Sequence, residues 1–163
     1  MKRMICLILA MCFLFSGCGF FGERIREPVT FHYLCTNYPE DLCCVINTEQ
    51  REASGHSTDL AYLLALYQMG PAAETLRSPL PAGTQIRVEK QDGQLLLELS
   101  EAAQALSDVE YTLACACLTL TCLDIIPTEA VTVSCGDRSK TMTGNSLILY
   151  DEIEIISPTE ETQ

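Results

Sequence analysis

Basic residues are scarce in this chain. Its 163 residues carry ten Lys and Arg against twenty-two Asp and Glu, a formal net charge of −12 with pI near 4.4. A phosphate backbone demands clustered positive charge, and no basic patch is visible, which argues against a nucleic-acid ligand. Long apolar runs are missing as well, beyond one near the N-terminus, and this excludes a polytopic membrane protein. The sequence has no Walker loop, no Gly-x-Gly-x-x-Gly, no paired-histidine metal motif and no Gly-x-Ser-x-Gly elbow. Only two histidines, His32 and His56, offer a base that titrates near neutral pH. What remains is 48% hydrophobic residues, enough for a core in a single domain of ordinary size.

The N-terminus is an address. Lys2 and Arg3 are followed by an uncharged apolar run from Met4 to Phe15, then Ser16-Gly17-Cys18. A charged start, a short apolar stretch and small residues at the end form an export signal. As a helix the run reaches about 18 Å, short of a hydrocarbon core of about 30 Å. A small pair directly before a cysteine resembles a bacterial lipobox, with Phe15 and Leu14 at the positions before it. That resemblance implies cleavage ahead of Cys18 and acylation of its thiol, palmitate or a similar chain serving as the membrane anchor. Residues 1–17 are then the signal peptide and 18–28 a short linker. Loss of Lys2 and Arg3 makes the mature chain more acidic still, and several acyl chains hold it to the membrane without help from the protein surface.

Ten cysteines are present. Setting aside Cys6, Cys12 and Cys18 leaves Cys35, Cys43, Cys44, Cys115, Cys117, Cys122 and Cys135, an odd set that cannot all pair internally. Cys115, Cys117 and Cys122 sit in a helical apolar stretch, where a free thiol behaves as a small hydrophobe. A Cys35–Cys43 or Cys35–Cys44 bridge stays open. Cys115 and Cys117 project to opposite sides of a helix and no second ligand pair stands at finger spacing, so no metal and no cofactor is expected.

The chain pattern predicts strands at Val29–Leu34 and Cys43–Glu52. A helix from Thr58 to about Met69 follows, capped by Ser57 and stopped by Gly70-Pro71. Strands at Thr84–Lys90 and Leu95–Leu99 flank the Asp92-Gly93 turn. Ser107 and Glu110 form a capping box for a helix to about Leu123, with Val109, Leu113, Ala116 and Leu120 as its expected buried stripe. A strand at Ala130–Ser134 comes next, and Leu147–Ile155 is expected to add a last one at an edge; residues 157–163 read as a disordered acidic tail. The resulting class is α+β: a two-layer body over residues 29–156, a mixed sheet with two helices packed on one face, in the order β-β-α-β-β-α-β.

The runs Leu63-Leu64-Ala65-Leu66-Tyr67-Gln68-Met69-Gly70-Pro71, Leu76 to Thr84 and Leu97-Glu98-Leu99-Ser100 carry a resemblance. So do the Tyr111–Leu123 helix and Val131-Thr132-Val133 after it. In order and spacing they resemble the GerMN domain over roughly residues 28–143. The many cysteines and the 35–56 segment depart from that pattern. The resemblance implies an exported, often lipid-anchored protein of Gram-positive bacteria. It also implies a fold similar to the ring-building domains of a sporulation channel, with no catalytic residues. Two functional classes follow. One is a lipid-anchored module on the outer face of the cell membrane, touching protein partners in sporulation or spore germination. The alternative is an envelope protein that binds a small ligand, or hydrolyses one, in a cleft containing His56. Oligomeric state is not readable from the residues.

Overall fold

A computed structural model of the chain describes residues 27–36 and 45–146. The signal peptide, Cys18 and the linker, Cys43 and Cys44, the expected strand at Leu147–Ile155 and the acidic tail all lie outside the described residues. The elements run β1 (Pro28–Cys35), β2 (Ile46–Glu52), α1 (Leu60–Gln68), β3 (Leu76–Arg77), β4 (Ile86–Gln91) and β5 (Gln94–Leu99). A 3-10 turn (Glu101–Ala105), α2 (Asp108–Ile125), β6 (Ala130–Cys135), β7 (Arg138–Met142) and a final 3-10 turn (Gly144–Ser146) complete them. The class is α+β, with the two expected helices and the five expected strand regions that reach into the described residues represented; β3 and β7 are additions to the expected order.

The strands form two sheets rather than one. One has the order β2-β1-β3 and the other β4-β5-β6-β7, in which β5 and β6 are parallel and the other pairs antiparallel. The division shows at the second edge of β1. Beyond its short pairing with β3 at Leu34 and Cys35, the second edge of β1 meets α2 instead of a strand. There the Thr121 hydroxyl accepts the His32 backbone N–H at 3.0 Å, and the Tyr67 hydroxyl donates to the His32 carbonyl at 2.9 Å. Side chains thus satisfy backbone groups that another strand would otherwise have paired.

The turns follow their sequence signals. Asp92 and Gly93 both take positive φ, 50° and 80°, the requirement of a tight hairpin that matches strand twist. Gly70, at φ 81°, closes α1 by donating its N–H to Tyr67 at 3.0 Å. Helix α1 starts later than Ser57 suggested. Asp59 is its cap, accepting the Tyr62 N–H at 3.1 Å, because a carboxylate at that position reaches the orphan amide. The Ser107–Glu110 capping box forms as expected.

Helix α2 corrects the expected stripe. Val109 is 71% exposed, and Leu113 and Leu120 are only half-buried. Of the expected stripe only Ala116 is buried; Tyr111, Ala114, Cys115, Leu118 and Cys122 are buried as well, together with Cys117, Thr119 and Thr121. An amphipathic pattern with one apolar side cannot describe a helix that packs on two sheets at once. The core joins both sheets through this helix, from Phe31 and Tyr33 on β1 to Leu95, Leu97, Val131 and Val133 on β5 and β6.

Candidate functional site

The two histidines stand in separate settings. His32 sits on β1 with its side chain 14% exposed, and its Nε2 lies 2.8 Å from Asp124 Oδ2 at the end of α2. His56 precedes α1, half exposed, with Nδ1 3.8 Å from Asp59 Oδ2 and its ring stacked on Tyr62 at 4.4 Å. Among the described residues neither imidazole is hydrogen-bonded to a serine hydroxyl or a cysteine thiol, so neither forms a nucleophile–base pair. His32 ties a strand to a helix; His56 lies in the loop that leads into α1.

The described cysteines are packing residues. Cys115, Cys117, Cys122 and Cys135 are buried free thiols, and Cys35 is a half-buried one. Burial pushes the Cys115 thiol up to about 11, and those of Cys117 and Cys122 to about 12. Such thiols are poor nucleophiles and poor metal ligands at neutral pH. No group of three or more His, Cys, Asp or Glu side chains converges to hold a metal ion among the described residues.

Two arginine clamps organise the body, and the sequence reading missed both. Arg51 on β2 pairs with Glu49 at 2.5 Å, two residues away on the same strand face. It donates to the carbonyls of Leu66 and Gly70 at the end of α1. Its guanidinium also lies 5.9 Å from the Phe31 ring and 6.0 Å from the Tyr33 ring. The other oxygen of Glu49 accepts the backbone N–H groups of Ala72 and Ala73 at 2.9 and 2.8 Å. Arg138 on β7 donates to Leu106 and Ala103 at 2.8 and 2.9 Å and stacks over Tyr111 at 4.4 Å. A carboxylate and an arginine at i, i+2 on a polar strand were the available signal; their targets come from distant loops.

Three depressions on the surface enclose about 320, 130 and 340 Å³, and His32 and His56 line none of the three. The largest apolar exposure beside one of them is Met69, 79% exposed next to Leu80 and Pro81. Strands β2 and β3 end one sheet, and β4 and β7 the other. The outward face of the four-stranded sheet is polar, with Arg87 bonded to Glu98 at 2.9 Å and Thr132 to Thr141 at 2.8 Å. Among the described residues no helix is long and apolar enough to cross a membrane.

The sequence matches no family model and no curated protein. Solved structures do match its fold. The tandem GerMN domains of the sporulation protein GerM from Bacillus subtilis align with a TM-score of 0.51 at 17% identity, over 74% of this chain and 43% of that one. The present chain therefore spans less than half of that tandem protein. A candidate lipoprotein from Clostridium perfringens aligns with a TM-score of 0.45 at 15% identity, over 72% of this chain and 89% of that one. The first GerMN domain of GerM gives 0.43 at 16% identity, over 69% and 86%. The architecture of the described body is that of a GerMN domain, and at these identities the likeness concerns the fold.

Proposed function

We propose that this chain is an exported lipoprotein, anchored at the outer face of the cell membrane through Cys18, whose body works by contact with other proteins. One pairing of observations carries the reading: an export signal that ends in Ser16-Gly17-Cys18 stands ahead of a body with GerMN architecture. Scattered histidines and buried, proton-holding thiols support a non-catalytic role. The likeness to a sporulation protein makes a sporulation or germination assembly the natural setting. Contact falls to features that the core leaves free, namely the edge strands of the two sheets, β2, β4 and β7 among them, and the polar outward face of the four-stranded sheet. The strongly negative body selects a partner with a basic surface and makes binding salt-sensitive. No observation favours the alternative of a hydrolytic or ligand-binding cleft around His56, whose imidazole faces Asp59 and Tyr62.

The test is metabolic labelling with an alkyne-tagged fatty acid. The wild-type protein takes up label and sediments with membranes. Cys18→Ala loses the label and is released. Membrane retention of an unlabelled Cys18→Ala protein overturns the anchor. Affinity capture of the anchored protein from growing and sporulating cells then tests the setting, and the captured partner is eluted by salt. A turnover abolished by His56→Ala replaces the contact reading with a catalytic one.

A further inference from the structure

Strand β4 ends its sheet, with no described strand beyond it. The Gln85 carbonyl accepts the Ser100 N–H at 3.0 Å, and the Asp92-Gly93 turn closes on the facing pair Gln91 and Gln94. Gln85, Arg87, Glu89 and Gln91 therefore exchange their backbone bonds with β5, while Ile86, Val88 and Lys90 turn theirs to the outer edge. Among the described residues no hydrogen bond meets those three positions from that side. The side chains alternate in charge as well. Arg87 and Glu89 are both exposed, on the outward face of the sheet. Across β5, Arg87 meets Glu98 at 2.9 Å, whereas Glu89 faces Leu96, which offers it no cation.

Helix α1 brings an apolar surface to the same edge. No residue from Leu60 to Gln68 is charged. Gln68 Nε2 donates to the Thr84 carbonyl at 3.0 Å, just ahead of β4, so one flank of α1 is turned to that strand. Ala61, about two turns earlier, shares this flank, and Ala65 lies next to it on the outer side. Both are exposed, as are Tyr62 and Met69 further round. A helix that is apolar all round belongs in a buried setting, yet only Leu63, Leu64 and Tyr67 of α1 are buried. Ile86 and Val88 of β4 pack against the core that those three residues join, which places α1 on the inner side of the sheet at this edge.

We propose that two copies of this chain join through β4, antiparallel about a two-fold axis at Val88, and merge their four-stranded sheets into one. Charge selects this register. An axis at Arg87 sets that arginine against its own copy, and an axis at Glu89 does the same for the carboxylate. An axis at Val88 sets Arg87 opposite Glu89 of the second copy, twice, at the non-hydrogen-bonded sites where facing side chains lie closest. Glu98, Arg87 and Glu89 of the second copy then alternate in sign along one row. Other edges lack this match. Strand β7 offers itself only cations, Arg138 and Lys140, and on β2 Glu49 and Arg51 are committed to their internal clamp. The two-fold axis also puts both α1 helices on the same side of the joined sheet, where Ala61 and Ala65 are small enough for close approach. The net charge of −12 opposes association at long range, but about 0.15 M salt screens it beyond about 8 Å. This goes beyond the contact reading above, since it needs neither the anchor nor an outside partner.

Sedimentation equilibrium of the full-length, detergent-extracted protein tests this, at about 0.15 M salt and from about 1 μM to 1 mM protein. Wild type should pass from monomer to dimer mass within that range. A monomer throughout overturns the proposal, and so does growth past the dimer, because an isologous contact closes on itself. Arg87→Glu and Glu89→Arg each bring like charges face to face and should weaken the dimer at least about tenfold. Their equimolar mixture should recover it, since every charge then meets its opposite on the other variant. Single variants that dimerise like wild type, or a mixture that stays monomeric, overturn the proposal. The Arg87–Glu98 pair is 73% and 61% exposed, so both variants should melt close to wild type. Hydrogen exchange gives a reading that needs no variant. The amides of Ile86, Val88 and Lys90 should slow as wild-type concentration rises, and exchange independent of concentration overturns the pairing.

Discussion

Tyr33 and Tyr67 lie face to face, their ring centroids 4.7 Å apart and their planes 4° from parallel. Each hydroxyl reaches into the other's element. Tyr33 donates to the Tyr67 carbonyl at 3.1 Å, and Tyr67 donates to the carbonyl of His32 at 2.9 Å. The pair fastens α1 to β1 through one buried and one partly buried polar bond. Phe31 completes the cluster, edge-on to both rings. Because each phenol serves a backbone carbonyl, removing one hydroxyl leaves that carbonyl without this donor. Tyr67→Phe is expected to cost about 1 kcal/mol, read as a lowered urea midpoint at unchanged slope.

Alkaline pH should reveal the same arrangement. Burial pushes the phenols of Tyr33, Tyr67 and Tyr111 up; for Tyr33 the nearby Arg51 offsets part of this. A group with a raised folded-state pKa contributes stability that is complete below its unfolded value, near pH 10, and is lost as pH climbs from there. Chemical denaturation from pH 8 to 11 should therefore show a flat stability up to about pH 10 and a decline above it. Absorbance near 295 nm should show these tyrosines ionising together with unfolding. Tyrosinate formed in full while the near-UV circular dichroism stays native would contradict the burial.

Much of this fold was legible in the residues, and the errors share one cause. Asp92-Gly93, Gly70-Pro71 and Ser107-x-x-Glu110 act within a few residues, and each turn or cap forms where its local chemistry demands. Val109, Leu113 and Leu120 misled because a helical stripe shows periodicity without showing which sheet it meets. Arg51 and Arg138 escaped notice for a related reason: their acceptors, Gly70 and Ala103, are chosen by tertiary approach. The split into two sheets turns on Thr121 meeting a backbone amide 89 residues away in the chain, a contact no local pattern encodes.

The clamp of Glu49 and Arg51 should be the most sensitive point on β2. Their side chains are 11% and 16% exposed, and leaving one charge buried without its partner costs about 3–5 kcal/mol. Arg51→Ala should lower Tm by roughly 10 °C or more. Arg51→Lys should recover only part, since an ammonium cannot reach two carbonyls and a carboxylate as a planar fork does. Burial alone would raise the Glu49 carboxyl, but the Ala73 and Ala72 amides and Arg51 together hold it below its usual range. Its contribution is therefore complete above the ordinary glutamate value, near pH 4.3, and lost as pH falls below it. Glu49→Gln should flatten the acid limb of the stability curve.

Thiol chemistry offers a direct check on the core. Cys115, Cys117 and Cys122 are buried and hold their protons well above neutrality. In native protein at pH 8, iodoacetamide should leave all three unmodified over hours, with peptide mass spectrometry finding label only after denaturant is added. Rapid native labelling of Cys117 or Cys122 would mean that α2 is not packed between the two sheets.

Two threonines on α2 should respond in opposite directions to one substitution. The Thr121 hydroxyl accepts the His32 amide at 3.0 Å, whereas the Thr119 hydroxyl, equally buried, has no hydrogen-bond partner among the described residues. Valine keeps the shape of threonine and replaces the hydroxyl with a methyl group. At position 121 this strands a strand amide that faces no other strand, and Thr121→Val should destabilise by about 1–3 kcal/mol. At position 119 it removes a desolvated polar group that nothing satisfies, and Thr119→Val should stabilise by about 1 kcal/mol. The comparison controls for helix propensity, because the same residue change is made two positions apart on the same helix. Urea melts of the two variants read the difference directly. A loss of stability at both sites would show that the Thr119 hydroxyl is paired in solution, and a gain at both would detach α2 from the edge of β1.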